Sequence, residues 1–344
     1  MAKRVEAGTA TDAPRPRTVG SDTLISVVAP VFNEGSAIDT FVEEIIATTE
    51  KLNFPGRFEI VLVNDGSSDG SDAALDGWTE REPDLVRVVH LARNFGHDAA
   101  VSAGLQHAHG DAVILLDSDM QDDPAAFGPF IERWLEGYDV VYATRVRRKE
   151  NPILRFFFWA FYRLLGLMAN FRLPMHAGNF SMMDRQVVKH LLSMGERNRY
   201  LPGLRAWVGF HQIGVPVERR ARHDKKARVG FRAKWTLAMN AFFSFSYAPI
   251  FAFRGFGMIA ILLSIFLFLI ALIAGIAQGT VWANLSAPLI WIAFFAGINL
   301  FGISVVGEYV ARIYDEVKNR PRYIVDRVTG GDDEKDTTAA SDQS

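Results

Sequence analysis

The sequence contains no cysteine. That excludes disulfides, thiolate metal sites and a cysteine nucleophile, and it suits a reducing compartment. Between Gly255 and Gly307 it also lacks every acidic and basic residue, over a stretch far longer than the roughly 20 apolar residues that cross a bilayer. Overall charge has little bias, with 37 Lys and Arg against 39 Asp and Glu, so bulk electrostatics gives no ground for a nucleic-acid partner. Residues 1–22, with Pro14, Pro16 and scattered arginines, lack the apolar core of a secretory signal and read as a disordered lead. Walker loops, nucleophile elbows and zinc motifs are missing as well. His107 and His109 stand two apart on a predicted helix and cannot face one metal together.

What is present divides into two parts, as expected for 344 residues when a domain ordinarily takes about 100–200. The charge-free segment, residues 255–307, is interrupted by Gln278, Gly279, Asn284, Ser286 and Pro288. It reads as two transmembrane helices, near 256–277 and 288–306, joined by a tight polar turn. A buried soluble hairpin is the alternative, and the length disfavours it. Basic residues flank the outer ends at Arg254, Arg312, Lys318, Arg320 and Arg322, while the turn carries none. The positive-inside rule then puts the catalytic part and both termini in the cytoplasm, with the chain multi-pass in the inner membrane. Residues 233–254, with Trp235, Phe242, Phe243 and Phe245, read as an interfacial helix on the bilayer surface. Residues 308–328 are expected to form a cytoplasmic helix or segment, and 329–344 an acidic disordered tail. Gly297, Gly302 and Gly307 offer small-residue packing for a homo-oligomer.

Residues 23–232 alternate short apolar runs (Leu24–Ala29, Phe58–Val63, Val86–Leu91, Ala112–Leu116) with helical stretches (Ser36–Leu52, Ser71–Thr79, Asp98–His109). Each helical stretch opens on a Ser or Asp suited to an N-cap. This order predicts an α/β fold with a mostly parallel sheet, whose ligands bind beyond the carboxyl ends of the strands. Those ends are Pro30–Gly35, Asn64–Gly70, Arg93–Gly96 and Asp117–Asp123, all polar or acidic. After Tyr142 the pattern loosens. Residues 152–170 read equally as a membrane-interface helix carrying Arg155 and Arg163 or as a core helix.

The strongest chemical signal is Asp117-Ser118-Asp119-Met120-Gln121-Asp122-Asp123. Two carboxylates at a strand end and an amide oxygen beyond them are hard ligands for Mg²⁺ or Mn²⁺ and would hold a metal-bound diphosphate. An acidic helix cap is the competing reading, best suited to Asp122 or Asp123. The turn Asn64-Asp65-Gly66-Ser67-Ser68-Asp69-Gly70 resembles a calcium loop only superficially, because a strand precedes it and position twelve is Asp76. A nucleotide-facing turn, with Asp65 accepting from base or ribose, fits better. Arg145, Arg148, Arg222, Lys225, Lys226 and Arg228 suit donor diphosphate, acceptor phosphate or anionic lipid.

Taken in order, Val-Ala-Pro-Val-Phe-Asn-Glu at 28–34, Val-Asn-Asp-Gly-Ser-Ser-Asp at 63–69, Arg-Asn-Phe-Gly at 93–96 and Asp-Ser-Asp-Met-Gln-Asp at 117–122 resemble glycosyltransferase family 2. Arg-Asn-Arg-Tyr at 197–200, Trp-Val-Gly-Phe at 207–210 and the run at 307–317 resemble its membrane-anchored polyprenyl-phosphate branch. That branch contains bactoprenol glucosyltransferases and relatives of dolichol-phosphate mannose synthase. The resemblance implies a GT-A fold with Pro30, Phe32, Asn33, Glu34, Val63, Asp65, Asp117 and Ser118 around the nucleotide. It further implies Asp117, Asp119 and Gln121 on the metal, and Arg145, Arg148, Arg222 and Arg228 on phosphates. The donor would be a nucleotide sugar, a UDP-sugar such as UDP-glucose first and GDP-mannose second, and the acceptor a polyprenyl phosphate such as undecaprenyl phosphate.

At 178–181 many relatives read Gly-Asp-Phe-Arg, the Asp a candidate base; here the residues are Gly178-Asn179-Phe180-Ser181. A phosphate monoester, with a second pKa of about 6, is already a competent nucleophile. A base is then dispensable: Asp119 acts through the metal, Asn179 orients by a hydrogen bond, and Asp184 is a spare carboxylate nearby. Two alternatives stand beside this reading: a processive polysaccharide synthase, whose Gln-x-x-Arg-Trp motif is not matched at 203–207, and a catalytically weakened nucleotide-sugar-binding scaffold.

Overall fold

The computed structural model describes residues 13–145, 177–197, 199–218, 220, part of 257–277 and 286–331. The chain forms two units, residues 1–234 with 320–344, and residues 235–319.

The first unit begins with the expected alternation: β1 (Leu24–Val31), α1 (Ala37–Lys51), β2 (Arg57–Asn64), α2 (Ser71–Arg81), β3 (Val86–Leu91), α3 (His97–His107) and β4 (Ala112–Leu115). A short 3₁₀ turn at Pro124–Ala126 leads into α4 (Phe127–Leu135). Then come β5 (Val140–Arg145), β6 (Ala177–Asp184), α5 (Arg185–Ser193), α6 (Leu201–Trp207) and β7 (Gln212–Val217). In the second unit α7 spans Ser286–Val317, and the chain returns to the first unit as β8 (Val325–Thr329). The eight strands form one sheet in the order β7-β5-β6-β4-β1-β2-β3-β8. β1, β2, β3 and β4 are mutually parallel, as are β5 and β7, whereas β6 and β8 run against their neighbours. This is the GT-A type of mixed, mostly parallel sheet.

The apolar runs become central strands because both faces are covered. Ile25, Val27 and Ala29 join Phe41, Ile45, Leu75, Phe127 and Phe130 of α1, α2 and α4 in one buried cluster. Each of the Val, Ile, Leu and Phe side chains among them contributes about 1.5–3 kcal/mol on burial. On the other face α3 lies so close that a Cβ added at Gly104 would sit 2.4 Å from Val28 Cγ1. Gly104→Ala would therefore force helix and sheet apart.

The expected Ser and Asp caps are not the ones used. Ser36 precedes α1 without a side-chain cap, and α2 and α3 start after Gly70 (φ 87°) and Gly96 (φ 97°). The tight reversal from a strand-end loop into a helix needs a positive φ, which glycine supplies at least cost. Ser71 Oγ instead accepts from Gly35 N at 3.0 Å.

Residues 13–22 are also not a loose lead. Arg17 donates to the carbonyls of Trp134 (2.6 Å) and Tyr138 (3.1 Å), pairs with Asp139 (2.5 Å) and Asp184 (3.2 Å), and lies over the Trp134 ring. One guanidinium thereby satisfies the carbonyl end of α4 and two carboxylates, a role composition cannot show.

At the other terminus, part of the segment expected to be a cytoplasmic helix or tail is strand β8. It covers the edge of β3, and Arg322 and Arg197 secure its approach through the carbonyls of Met194 and Arg320.

In the second unit α7 continues past the expected end at Val306, its last turns supported by the Glu308–Arg312 pair at 2.8 Å. Among the described residues, the 24 residues Phe294–Val317 form the one helix long and apolar enough to cross a membrane, with mean hydropathy 1.5. Leu300, Ile303, Val306 and Val310 are exposed along it. The described residues of 257–277 are helical too, with Leu262, Ile265, Leu269 and Ile273 exposed. Residues 278–285 of the polar turn expected between 277 and 288, and the interfacial helices expected at 152–170 and 233–254, lie outside the described residues, while Ser286 and Pro288, expected to interrupt the apolar segment, lie in the first turn of α7.

Candidate active site

The carboxyl ends of β1, β2, β3 and β4 lie side by side, as the strand order requires, and their loops are bonded to one another. Asn33, at φ 54°, donates its backbone N–H to Ser67 Oγ (3.0 Å) and accepts from Ser68 N through Oδ1 (2.8 Å). The first two loops are thereby clasped together. Gly66, at φ 64°, lies so close to the third loop that a Cβ would stand 2.4 Å from the Arg93 carbonyl carbon.

Asp65 has a structural duty that its motif does not reveal. Its two oxygens accept from Phe95 N (2.7 Å) and Gly96 N (3.0 Å), and it is 3% exposed. Burial pushes its pKa up, opposed by those two amide bonds. The expected bond to base or ribose would have to use what remains of this carboxylate. Val63 likewise turns its side chain into the core, where it faces α3, which leaves only its backbone for a nucleotide. Phe32, the first residue after β1, is exposed at 42%.

The fourth loop carries the acidic motif. Ser118 Oγ donates to the Pro30 carbonyl at 2.8 Å and so ties this loop to β1. Met120 stands at φ 59° between Asp119 and Gln121, a left-handed conformation that a residue of this size rarely adopts. Gln121 N donates to Asp119 Oδ1 at 3.2 Å. Asp123, by contrast, caps the next turn through Ala125 N (2.9 Å) and pairs with Arg220 (2.8 Å), which matches the capping alternative. Arg220 also binds Glu44 and donates its backbone N–H to the Gln121 carbonyl at 3.0 Å.

Asp117 is paired with a histidine: His97 Nε2 lies 2.9 Å from Asp117 Oδ1, and Nδ1 lies 3.6 Å from Asp98. Burial lowers the His97 pKa, but the hydrogen bonds and charges of Asp117 and Asp98 outweigh it and hold the imidazole above its ordinary range. The site thus carries its own cation beside its first acidic residue.

Antiparallel pairing brings β6 to this rim. Leu115 faces Ser181 across β4 and β6, so extending the register sets Asn179 opposite Asp117. A cleft is lined by Asp117, Asp122, Ala143, Asn179, Phe180 and Val217. Beneath it Arg205, fully buried, donates through Nη2 to the Gly178 carbonyl (3.1 Å) and lies over the Tyr142 ring. Burial drops its pKa to about 10, so it remains a cation supporting the strand that presents Asn179. Asp184 belongs elsewhere. It pairs with Ala112 at the opposite end of β6, caps α5 through Gln186 N (3.0 Å) and accepts from Trp134 Nε1 (3.1 Å).

Among the described residues no three His, Cys, Asp or Glu side chains converge on one point. The available donors are the carboxylates of Asp117 and Asp119 and the amide of Gln121. That set is chemically suited to a hard cation that completes its shell with diphosphate oxygens and water. Arg145 closes β5 opposite Val217, while Arg148, Arg222 and Arg228 lie outside the described residues. His97, Arg205 and Arg220 are the site residues that sequence reasoning missed. Only His97, next to the Arg-Asn-Phe-Gly motif, carried a usable signal.

A strand-end site of this kind on a GT-A sheet defines a glycosyltransferase. Residues 26–192 match the model of the glycosyl transferase family 2. The chain is 35% identical to a prophage-derived bactoprenol glucosyl transferase of Shigella flexneri, covering 88% of this chain and 97% of that one. It is 34% identical to an uncharacterized glycosyltransferase of Synechocystis, covering 89% and 96% respectively. Among solved structures it is similar to a mannosyltransferase of Pyrobaculum calidifontis in complex with GDP-Man and Mn²⁺, with a TM-score of 0.45 and 21% identity over 67% of this chain and 63% of that one. The chain belongs to glycosyl transferase family 2.

Proposed function

We propose that this glycosyltransferase moves one sugar from a nucleotide sugar to a polyprenyl phosphate, with inversion at the sugar carbon. The first candidate pair is UDP-glucose and undecaprenyl phosphate. The observation that carries the reading is the shared cleft of Asp117 and Asn179, where an acidic strand end faces a neutral hydrogen-bonding side chain. Similarity to relatives named bactoprenol glucosyl transferase along nearly their whole length supports the acceptor class.

The chemistry follows from what each side chain is able to do. Asn33 and Ser67 hold the first two loops together as the nucleotide platform, and Phe32 stacks against the base. Asp117, Asp119 and Gln121 would hold Mg²⁺ or Mn²⁺, which when bound offsets the charge of the departing nucleoside diphosphate. The acceptor phosphate is largely dianionic at neutral pH and attacks without giving up a proton. Asn179 donates a hydrogen bond that aligns it, and arginines at 145, 148, 222 and 228 steady the phosphates.

A polyprenyl acceptor requires membrane contact, which the apolar α7 supports. The pairing of β8 with β3 in the catalytic sheet favours a chain that re-emerges on the side from which it entered the bilayer. An even number of crossings would follow, with the apolar residues 257–277 as the second span beside α7. The catalytic unit and both ends of the chain would face the cytoplasm.

Asn179, in place of a carboxylate, favours a second reading: a nucleotide-sugar-binding scaffold with little turnover. Titration of UDP and GDP into purified protein with and without Mn²⁺, followed by turnover, separates the two. Metal-assisted nucleotide binding with lipid-linked product supports the enzyme, whereas binding with neither transfer nor donor hydrolysis supports the scaffold. An absence of nucleotide binding contradicts both.

A further inference from the structure

Strand β8 meets the rest of the domain through polar side chains as well as through its backbone. Its Arg327 lies opposite His90 in the pairing with β3. Both reach Asp76 of α2: Arg327 Nη2 lies 2.7 Å from Oδ2, and His90 Nε2 2.9 Å from Oδ1. Thr329 Oγ1 adds a third bond to Oδ1 at 3.0 Å. From His90 the chain of bonds continues inward, for Nδ1 lies 3.2 Å from Asn64 Nδ2, and Asn64 Oδ1 accepts from Ser67 N at 3.0 Å. Ser67 is the residue whose hydroxyl accepts from Asn33 N.

The polarity of this chain is fixed by its ends. Asp76 is lowered in pKa: burial raises it, and the bonds from Arg327 and Thr329 together with the charge of Arg327 override that. It is therefore an acceptor and requires a proton on His90 Nε2. His90, 3% exposed, has its own pKa lowered by burial; the positive charge of Arg327 adds to this, against the opposing pull of Asp76 and Asp72. The neutral ring leaves Nδ1 as an acceptor for the Asn64 amide N–H, which orients the Asn64 carbonyl toward Ser67 N. Asn64 is buried too, at 4%. Each buried polar group in the chain thus has one compatible orientation, the condition under which such a network fixes geometry.

We infer that β8 is part of the donor-site machinery: through Asp76, His90 and Asn64 it sets the conformation of the 64–71 loop that takes the nucleotide. This rests on reading that loop as the donor loop. Arg327, Thr329, Asp76 and His90 are then positioning residues remote from the reacting atoms. The strand that follows the apolar helix by sequence also tunes donor affinity.

The test uses full-length protein in detergent, comparing wild type, the double variant Arg327→Ala with Thr329→Val, and Arg327→Lys. Hydrogen exchange is read over residues 64–71 and, as controls, over β1 and α3, and donor KM and kcat are measured alongside. The double variant is expected to speed exchange in 64–71 alone and raise donor KM about three- to tenfold, with kcat within about twofold of wild type. Arg327→Lys restores both. Should the double variant not fold, Asp76→Asn, nearly isosteric, must give the same pattern. Unchanged exchange in 64–71, or a uniform rise across the sheet, overturns the inference. Exchange needs no substrate, so a wild type that binds no nucleotide sinks the donor-loop reading separately, while the link from β8 to Ser67 is still decided by exchange.

Discussion

His97 Nε2 stands 2.9 Å from Asp117 Oδ1, and the imidazolium it favours is a resident counter-cation for the residue best suited to hold a metal. His97 sits on the first turn of α3, directly after Gly96, whose amide is pinned by Asp65. The third loop thereby delivers a positive charge to the fourth.

If His97 and a divalent cation compete for Asp117, His97→Asn should lower the Mn²⁺ concentration needed for half-maximal transfer. The change should be about two- to fivefold, the worth of a half-exposed ion pair. A metal titration of both proteins checks this; a higher metal requirement would make His97 a support for Asp117 instead.

Asp119 and Asn179 should differ in weight. Asp119→Ala removes a carboxylate that would hold the metal at the leaving diphosphate and is expected to cost on the order of a hundredfold or more in kcat. Asn179→Ala removes one neutral hydrogen bond and should cost about tenfold. Equal losses in purified proteins would remove the distinction between their roles.

Asp65→Ala should act on stability before it acts on chemistry, because it strands the amides of Phe95 and Gly96. A loss of about 1.5–3 kcal/mol per charged hydrogen bond sets the scale. Thermal unfolding in detergent should show a clear fall for Asp65→Ala and a smaller one for Asp65→Asn, which keeps an acceptor.

Glu59 governs the acid side of stability. Burial raises its pKa, but bonds from His109 and Ser26 outweigh this and bring it down to about 2 from an ordinary 4.5. A depressed carboxylate stabilises the fold fully above pH 4.5, and the contribution is lost as pH falls from there toward 2. That contribution is on the order of 3 kcal/mol. Unfolding measured across this range should be steep in wild type and flatter in Glu59→Gln, which is already less stable at neutral pH.

The first half of the domain was legible because buried parallel strands write continuous apolar runs. Val86–Leu91 was bounded to the residue, and the loops singled out after β1 to β4 are ones the strand order sets side by side. Strand β8 was not legible: Val-Asp-Arg-Val-Thr has no apolar run and forms because the open edge of β3 accepts a partner. Arg17 was hidden by the composition around it, since a single side chain anchors an otherwise polar segment. Asp184 was misjudged because nearness to Asn179 in sequence becomes distance along an extended strand. The pairing of His97 with Asp117 depends on two adjacent loops meeting, which no local pattern encodes.

The central claim is sugar transfer to a lipid phosphate, and its most direct test is radiolabelled transfer from a panel of nucleotide sugars to undecaprenyl phosphate by detergent-purified protein, with and without Mn²⁺ or Mg²⁺. The expected result is a single metal-dependent lipid-linked product from one donor, UDP-glucose first, abolished in Asp119→Ala. No lipid-linked product from any donor, by a protein that binds nucleotide in the presence of metal, would contradict it.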